Sequence, residues 1–243
     1  IIALSSASPN FPEGLRYLEI AKNNKSKKTP LTIVGGKHAT VVPENVISSD
    51  LVDMICIGEG EFALAELCDN LQSGADHTTV KNLWVKANGG VTRNPLRQMV
   101  DLNELPFPDF DIFNESHFYQ PFVGKVYKRC VVELARGCIY KCTYCINHHH
   151  HELYDGFGKY HRHKSTERII SELKRNKEHY QTSIVRFLDE TFLLLKKDVL
   201  FGFLDQYKSE ISLPFMISTR PETVTEEKIS RLKDAGCVSI SMG

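Results

Sequence analysis

Cys138, Cys142 and Cys145 stand in the order Cys-x-x-x-Cys-x-x-Cys within Ala135-Arg136-Gly137-Cys138-Ile139-Tyr140-Lys141-Cys142-Thr143-Tyr144-Cys145, with no fourth cysteine close behind. Three thiolates can hold three irons of a four-iron, four-sulfur cube and leave the fourth iron open to a ligand that is not protein. An open iron is a place for chemistry. The alternative is structural zinc, because His148 follows Cys145 with two residues between and could complete a Cys₃His tetrahedron. Against it, Cys130-Val131-Val132-Glu133-Leu134 reads as a strand entering the loop, and zinc knuckles rarely sit at the mouth of a buried strand in a large α/β chain. His148 itself lies in Asn147-His148-His149-His150-His151, which reads as a solvated loop with weak adventitious metal affinity.

The elements that must carry this loop follow from periodicity. From residue 128 onward, short apolar strands alternate with amphipathic helices. The strand at 130–134 enters the cysteine loop, and a helix over 166–175 starts at the cap Ser165. A strand at 183–188 ends in Asp189-Glu190-Thr191-Phe192, and a helix follows over 197–208. A strand at 214–217 ends in Ser218-Thr219-Arg220, a helix over 225–235 stops at Gly236, and a fourth strand starts at 238. Polar residues at the carboxyl end of each strand are the pattern of a barrel whose active site is its top face.

The first 75 residues read as strand, helix, strand, strand, helix. A strand ends at Leu4, a helix spans 11–22, and 22–30 is a polar, basic turn. Leu31-Thr32-Ile33-Val34 closes on Gly35-Gly36, residues 51–57 close on Gly58-Glu59-Gly60-Glu61, and a helix covers 62–71. Buried strands alternating with helices and ending in glycine turns argue for a doubly wound parallel sheet, which binds ligands at the carboxyl ends of its strands. These glycines could admit a large flat or phosphorylated ligand, or could be ordinary turn glycines. Residues 76–128 read as a connector, with a hairpin at Ala87-Asn88-Gly89 and a proline-rich extended strap, Leu105-Pro106-Phe107-Pro108-Asp109-Phe110, from one domain to the other. The expected domains are thus 1–75, 76–128 and 129–243.

The 243 residues suffice for one large or two modest cores, and 42% hydrophobic with 25% charged residues is a globular composition. Thirty basic and thirty acidic residues cancel, so no global field recruits nucleic acid or an anionic membrane. No apolar run approaches the roughly 18 residues of a membrane span. The first residues lack the order of a signal peptide and read as the end of a buried strand, so the chain reads as truncated at its start. Three clustered and four scattered cysteines (Cys56, Cys68, Cys130, Cys237) form no disulfide pattern, and a reducing cytoplasm is the expected compartment.

The cysteine loop, with Tyr144 just before its last cysteine, resembles the signature of the radical S-adenosylmethionine (SAM) superfamily. The resemblance implies a partial (β/α)₆ barrel with a [4Fe-4S] cluster on Cys138, Cys142 and Cys145. It places SAM near Tyr144, with Asp189 and Glu190 toward its amino group and Ser218 and Arg220 toward its carboxylate and ribose. Ser239-Ile240-Ser241-Met242-Gly243 is similar to a further barrel strand of that family. The first half resembles the partial Rossmann-like cobalamin-binding domain of one subfamily, through Ser5, Ser6, Gly35, Gly36, Gly58, Glu59 and Gly60, and the strap fits the same pattern. The subfamily's Asp-x-His-x-x-Gly motif, whose His ligates cobalt, is absent, and His38 is not at the matching place. The resemblance thus implies a cobalamin-dependent radical SAM enzyme, foremost a methyltransferase acting on an unactivated carbon. A radical SAM cyclase or rearrangement enzyme would share every motif here, and a zinc-stabilised binding module is the reading from another class. The expected partners are a small-molecule or peptide substrate and an electron donor such as flavodoxin or ferredoxin, with no nucleic acid.

Overall fold

The computed structural model describes residues 1–24 and 29–243, so residues 25–28 of the basic turn lie outside the described residues. Contacts divide the chain into two compact units, residues 1–99 with 142–158, and residues 100–141 with 159–243.

The first unit is built on a five-stranded sheet in sequential order, β1 (Ile2–Ser5), β2 (Thr32–Gly35), β3 (Met54–Cys56), β4 (Leu83–Ala87) and β5 (Gly90–Arg93). The first three strands are parallel, and the hairpin β4–β5 adds antiparallel. The hairpin expected within a connector is therefore the sheet's outer pair. Its turn places Asn88 at φ 52° and Gly89 at φ 78°, the left-handed pair that a two-residue hairpin requires. Between the strands run α1 (Phe11–Lys22), α2 (Lys37–Val41), α3 (Pro43–Ile47) and α4 (Glu61–Ser73). Helices cover both faces: Phe11, Leu18, Val46 and Ile47 pack on Val34 and Ile55, while Ala63 and Leu67 pack with Ile33 and Met54. The two five-residue helices α2 and α3 are too short to show a periodicity, and sequence reading passed over them. The histidine run is also no loop: it lies in α5 (Ile146–Leu153), which belongs to this unit.

The second unit holds a sheet in the order β12 (Cys237–Met242), β11 (Phe215–Thr219), β10 (Ile184–Phe187), β7 (Lys125–Val132) and β6 (Tyr119–Phe122). The strands from β7 to β12 are parallel, and β6 returns antiparallel beside β7. The connecting helices are α6 (Thr166–His179), α7 (Lys197–Glu210) and α8 (Glu226–Ala235). The Ser165 hydroxyl accepts from the Arg168 amide at 3.1 Å and starts α6, and Gly236 at φ 101° ends α8. A short ribbon pairs β8 (Ala135–Arg136) with β9 (Arg162–His163). The core under the helices is aromatic: Phe187, Phe192, Phe203, Tyr207 and Phe215 are all but fully buried, with Phe187 and Phe192 centroids 4.9 Å apart. Removing one such ring costs about 3–5 kcal/mol, so this cluster anchors the strands. The proline-rich strap runs along α6, where Arg168 lies over the Phe107 ring at 3.7 Å and Arg175 donates to the Pro108 carbonyl.

Candidate functional site

The corner that presents Cys138 is held by side chains of the next strand's end. Pairing of Phe187 with Val132 sets β10 level with β7, so Asp189 arrives beside the backbone just past β7. Its two carboxylate oxygens accept from the Leu134 amide at 3.1 Å and the Ala135 amide at 2.6 Å. The group is almost fully buried, and burial pushes its pKa up to about 7 against the opposing pull of those two bonds. Gly137 follows at φ +87°, where any Cβ would press on the Tyr160 carbonyl. Only glycine fits there. Cys138 is then buried, with Sγ 3.7 Å from Thr191 Oγ1.

Cys142 and Cys145 belong to the first unit. The Cys145 amide donates to the Cys142 carbonyl at 3.0 Å, and Cys145, in extended backbone, is the residue before α5. Tyr144 is 86% exposed. Along α5, His149 Nε2 lies 3.3 Å from the Thr40 carbonyl oxygen, and His150 stacks on Tyr154. Burial lowers the His150 pKa to about 4, which keeps its ring neutral. His148 is exposed and faces Glu152 at 3.5 Å. None of the seven cysteines is in a disulfide. Among the described residues no three His, Cys, Asp or Glu side chains are gathered as a metal ion would require. The donor chemistry nonetheless suits an iron–sulfur cluster, since three thiols stand within one short loop.

The other candidate SAM residues lie at strand ends of the second unit. Asp189 accepts from a backbone amide on each of its two oxygens, which makes it a support of the cysteine loop as well as a strand-end carboxylate. Glu190 beside it is exposed. Ser218 accepts from Arg186 at 3.2 Å, and Arg220 pairs with Glu222 at 2.6 Å while its guanidinium lies 4.4 Å over the Tyr140 ring. Gly137, Tyr140 and Thr191 are the parts that sequence reading passed over. A glycine directly before the first cysteine was the only signal.

In the first unit, the candidate cobalamin residues stand side by side at the carboxyl ends of β1, β2 and β3. Ser5 pairs with Gly35, and the Ser6 amide donates to the Gly35 carbonyl at 3.1 Å. Thr40 ties two turns together, donating to the Gly36 carbonyl at 2.9 Å and accepting from the Gly58 amide at 3.1 Å. The Glu59 amide donates to Tyr154 Oη at 2.8 Å, and Asn82 donates to the Glu59 carbonyl at 2.7 Å. Two of the glycines have reasons inside the protein. A Cβ on Gly36, at φ +87°, would lie 2.9 Å from Ser5 Oγ and the Ser6 amide, and one on Gly58, at φ +73°, would collide with the Tyr154 hydroxyl. Gly60 differs: its backbone is ordinary and a Cβ would meet only Cys56 Sγ, at 3.4 Å.

Comparison with known proteins places these units. Over 245 residues the chain is 28% identical to an uncharacterized methyltransferase of Pyrococcus horikoshii, covering all of this chain and 51% of that protein, so the chain spans about half of that relative's length. Among solved structures, the radical SAM methyltransferase TsrM of Kitasatospora setae, with tryptophan and a SAM analogue bound, superposes with a TM-score of 0.72 at 14% identity, over 99% of this chain and 47% of that one. The cobalamin-dependent SAM radical enzyme OxsB, with aqua-cobalamin and SAM bound, gives 0.71 at 20% identity, over 100% and 35%. At such identities the likeness is one of fold: α/β, with mixed sheets and a half-barrel. Residues 132–243, the stretch carrying the cysteine motif and the half-barrel, match the family model of the Radical SAM superfamily.

Proposed function

We propose that the chain is the core of a cobalamin-dependent radical SAM enzyme that transfers a methyl group to an unactivated carbon. The observation that carries this reading is the three-cysteine loop leaving the first parallel strand of a half-barrel, in a chain whose full length superposes on cobalamin-dependent radical SAM enzymes. When bound, a [4Fe-4S] cluster supplies the electron that cleaves SAM, and cobalamin carries the methyl group. TsrM is itself known with cobalamin and a [4Fe-4S] cluster bound.

The residues would divide the work as follows. Cys138, Cys142 and Cys145 are the thiolates for the cluster. Arg220, backed by Tyr140, offers a planar cation to the SAM carboxylate, with Glu190 and Ser218 also at strand ends. Tyr144 is exposed and available to the same ligand. The turns at Ser5, Ser6, Gly35, Gly36, Gly58, Glu59 and Gly60 form the bed for cobalamin. Methyl transfer is favoured over cyclisation or rearrangement because the Pyrococcus relative carries the name methyltransferase. Among the described residues no helix is long and apolar enough to cross a membrane. A small-molecule or peptide substrate, a flavodoxin- or ferredoxin-like electron donor and a reducing cytoplasm complete the proposal.

The test is anaerobic reconstitution followed by SAM and hydroxocobalamin. About four irons with matching sulfide, bound cobalamin and release of 5′-deoxyadenosine support the reading. One zinc with no sulfide overturns it in favour of a zinc-stabilised module. A cluster that cleaves SAM without cobalamin uptake reduces it to a cobalamin-free radical SAM enzyme.

A further inference from the structure

Within the second unit, the turn that follows β10 touches the cysteine loop twice. Asp189 holds the Leu134 and Ala135 amides, and two residues later Thr191 brings its hydroxyl within 3.7 Å of Cys138 Sγ. Both Thr191 and Cys138 are buried, at 3% and 5% exposure, so water does not compete for that contact. We propose that Thr191 is a positioning residue that donates a hydrogen bond to the Cys138 sulfur once iron is bound and so raises the reduction potential of the cluster. This rests on the iron–sulfur reading of the cysteine loop.

The proton accounting favours that direction. As the chain stands, the Thr191 hydroxyl donates to the Glu190 carbonyl at 2.8 Å, while in its contact with the thiol either atom could be the donor. Iron binding removes the thiol proton. The hydroxyl then carries the only hydrogen between the two atoms. Rotation about Cβ–Oγ1 turns it from a neutral carbonyl to an anionic sulfur, and charge-assisted bonds are the stronger kind. A donor to a ligand sulfur stabilises the reduced, more negative cluster, which is a known lever on potential. The rigid corner made by Asp189 keeps the sulfur within reach. If Thr191 served only to satisfy the Glu190 carbonyl, its loss would leave the potential unmoved.

The experiment compares wild type, Thr191→Val and Thr191→Ser after anaerobic reconstitution, with potentials read by EPR-monitored titration. The expected result is a more negative potential in Thr191→Val, by about tenfold in the reduction equilibrium, or about 59 mV for one electron. Thr191→Ser, which keeps the hydroxyl, should stay at the wild-type value. If valine blocks iron uptake, Thr191→Ala carries the same test, since it removes the hydroxyl without adding bulk. A wild-type potential in the variant lacking the hydroxyl overturns the proposal while leaving the cluster reading intact. A wild-type protein that takes up no iron and sulfide overturns both.

Discussion

At the carboxyl ends of β1 to β3 the chain turns on Gly35, Gly36, Gly58 and Gly60, whereas at the ends of β10 and β11 it turns on Asp189, Glu190, Thr191, Ser218 and Arg220. In the first unit the backbone itself is the surface, and the spaces left by glycine are partly filled by the protein's own atoms, Ser5 and Ser6 over Gly36 and Tyr154 over Gly58. In the second unit side chains do the holding, with a buried carboxylate on two amides and a buried hydroxyl on a cysteine sulfur. Residue type therefore reports on function more directly in the second unit. A glycine says that something is close, and only the fold says what.

The largest effect expected is in the cysteine loop. Changing Cys138, Cys142 or Cys145 to Ala removes a ligand and should abolish the cluster, read as loss of iron, sulfide and absorption near 400 nm. Cys56, Cys68 or Cys237 to Ala should retain it. Retention of about four irons in Cys142→Ala would break the contrast, because that loop would then not be the ligand set.

Next comes Asp189. Asp189→Ala leaves two buried amides without an acceptor and should destabilise the second unit by about 2–5 kcal/mol in denaturant titration. The same group sets a pH dependence. Its folded pKa stands near 7 against an ordinary 3.8, so between those values the folded chain holds a proton that the unfolded chain has released. The contribution is whole below pH 3.8 and is lost as pH rises through about 7. Wild type should thus lose stability relative to Asp189→Asn between about pH 4 and about pH 7, and a flat difference would show that the two amide bonds keep the carboxylate ionised throughout.

In the first unit, Gly36→Ala places a Cβ against Ser5 and Ser6 at a positive φ and should cost about 1–3 kcal/mol. Cobalamin loss in that variant therefore reports packing as much as ligand contact. Gly60→Val is the sharper probe, because its backbone is ordinary and its neighbourhood is more open. If a ligand approaches there, cobalamin binding should fall while the unfolding midpoint holds; unchanged binding would remove Gly60 from the cobalamin bed.

The smallest effect belongs to Tyr154→Phe. It deletes the acceptor for the Glu59 amide but keeps the ring over Gly58, and should cost about 1 kcal/mol. A null result in thermal unfolding would mean that another group takes over that amide.

Much of the fold and the candidate donor set was legible in the chain itself, because both are written in local patterns. Three thiols at fixed spacing are a donor set in any conformation, and the alternation of apolar strands with amphipathic helices specifies parallel βα units by burial alone. Capping residues such as Ser165 and Gly236 mark their elements by local hydrogen bonding and backbone sterics. What the sequence left open is long-range. Nothing local says that a carboxylate at 189 reaches amides 54 and 55 positions earlier, or that Tyr154 fills the space over Gly58, 96 residues away. The histidine run reads as polar and solvated until the packing of α5 half-buries His150 and brings His149 to Thr40. Residue identities determined which chemistry is available; the tertiary structure decided which of those groups are occupied in holding the chain, because desolvation and hydrogen-bond geometry exist only between segments that folding brings together.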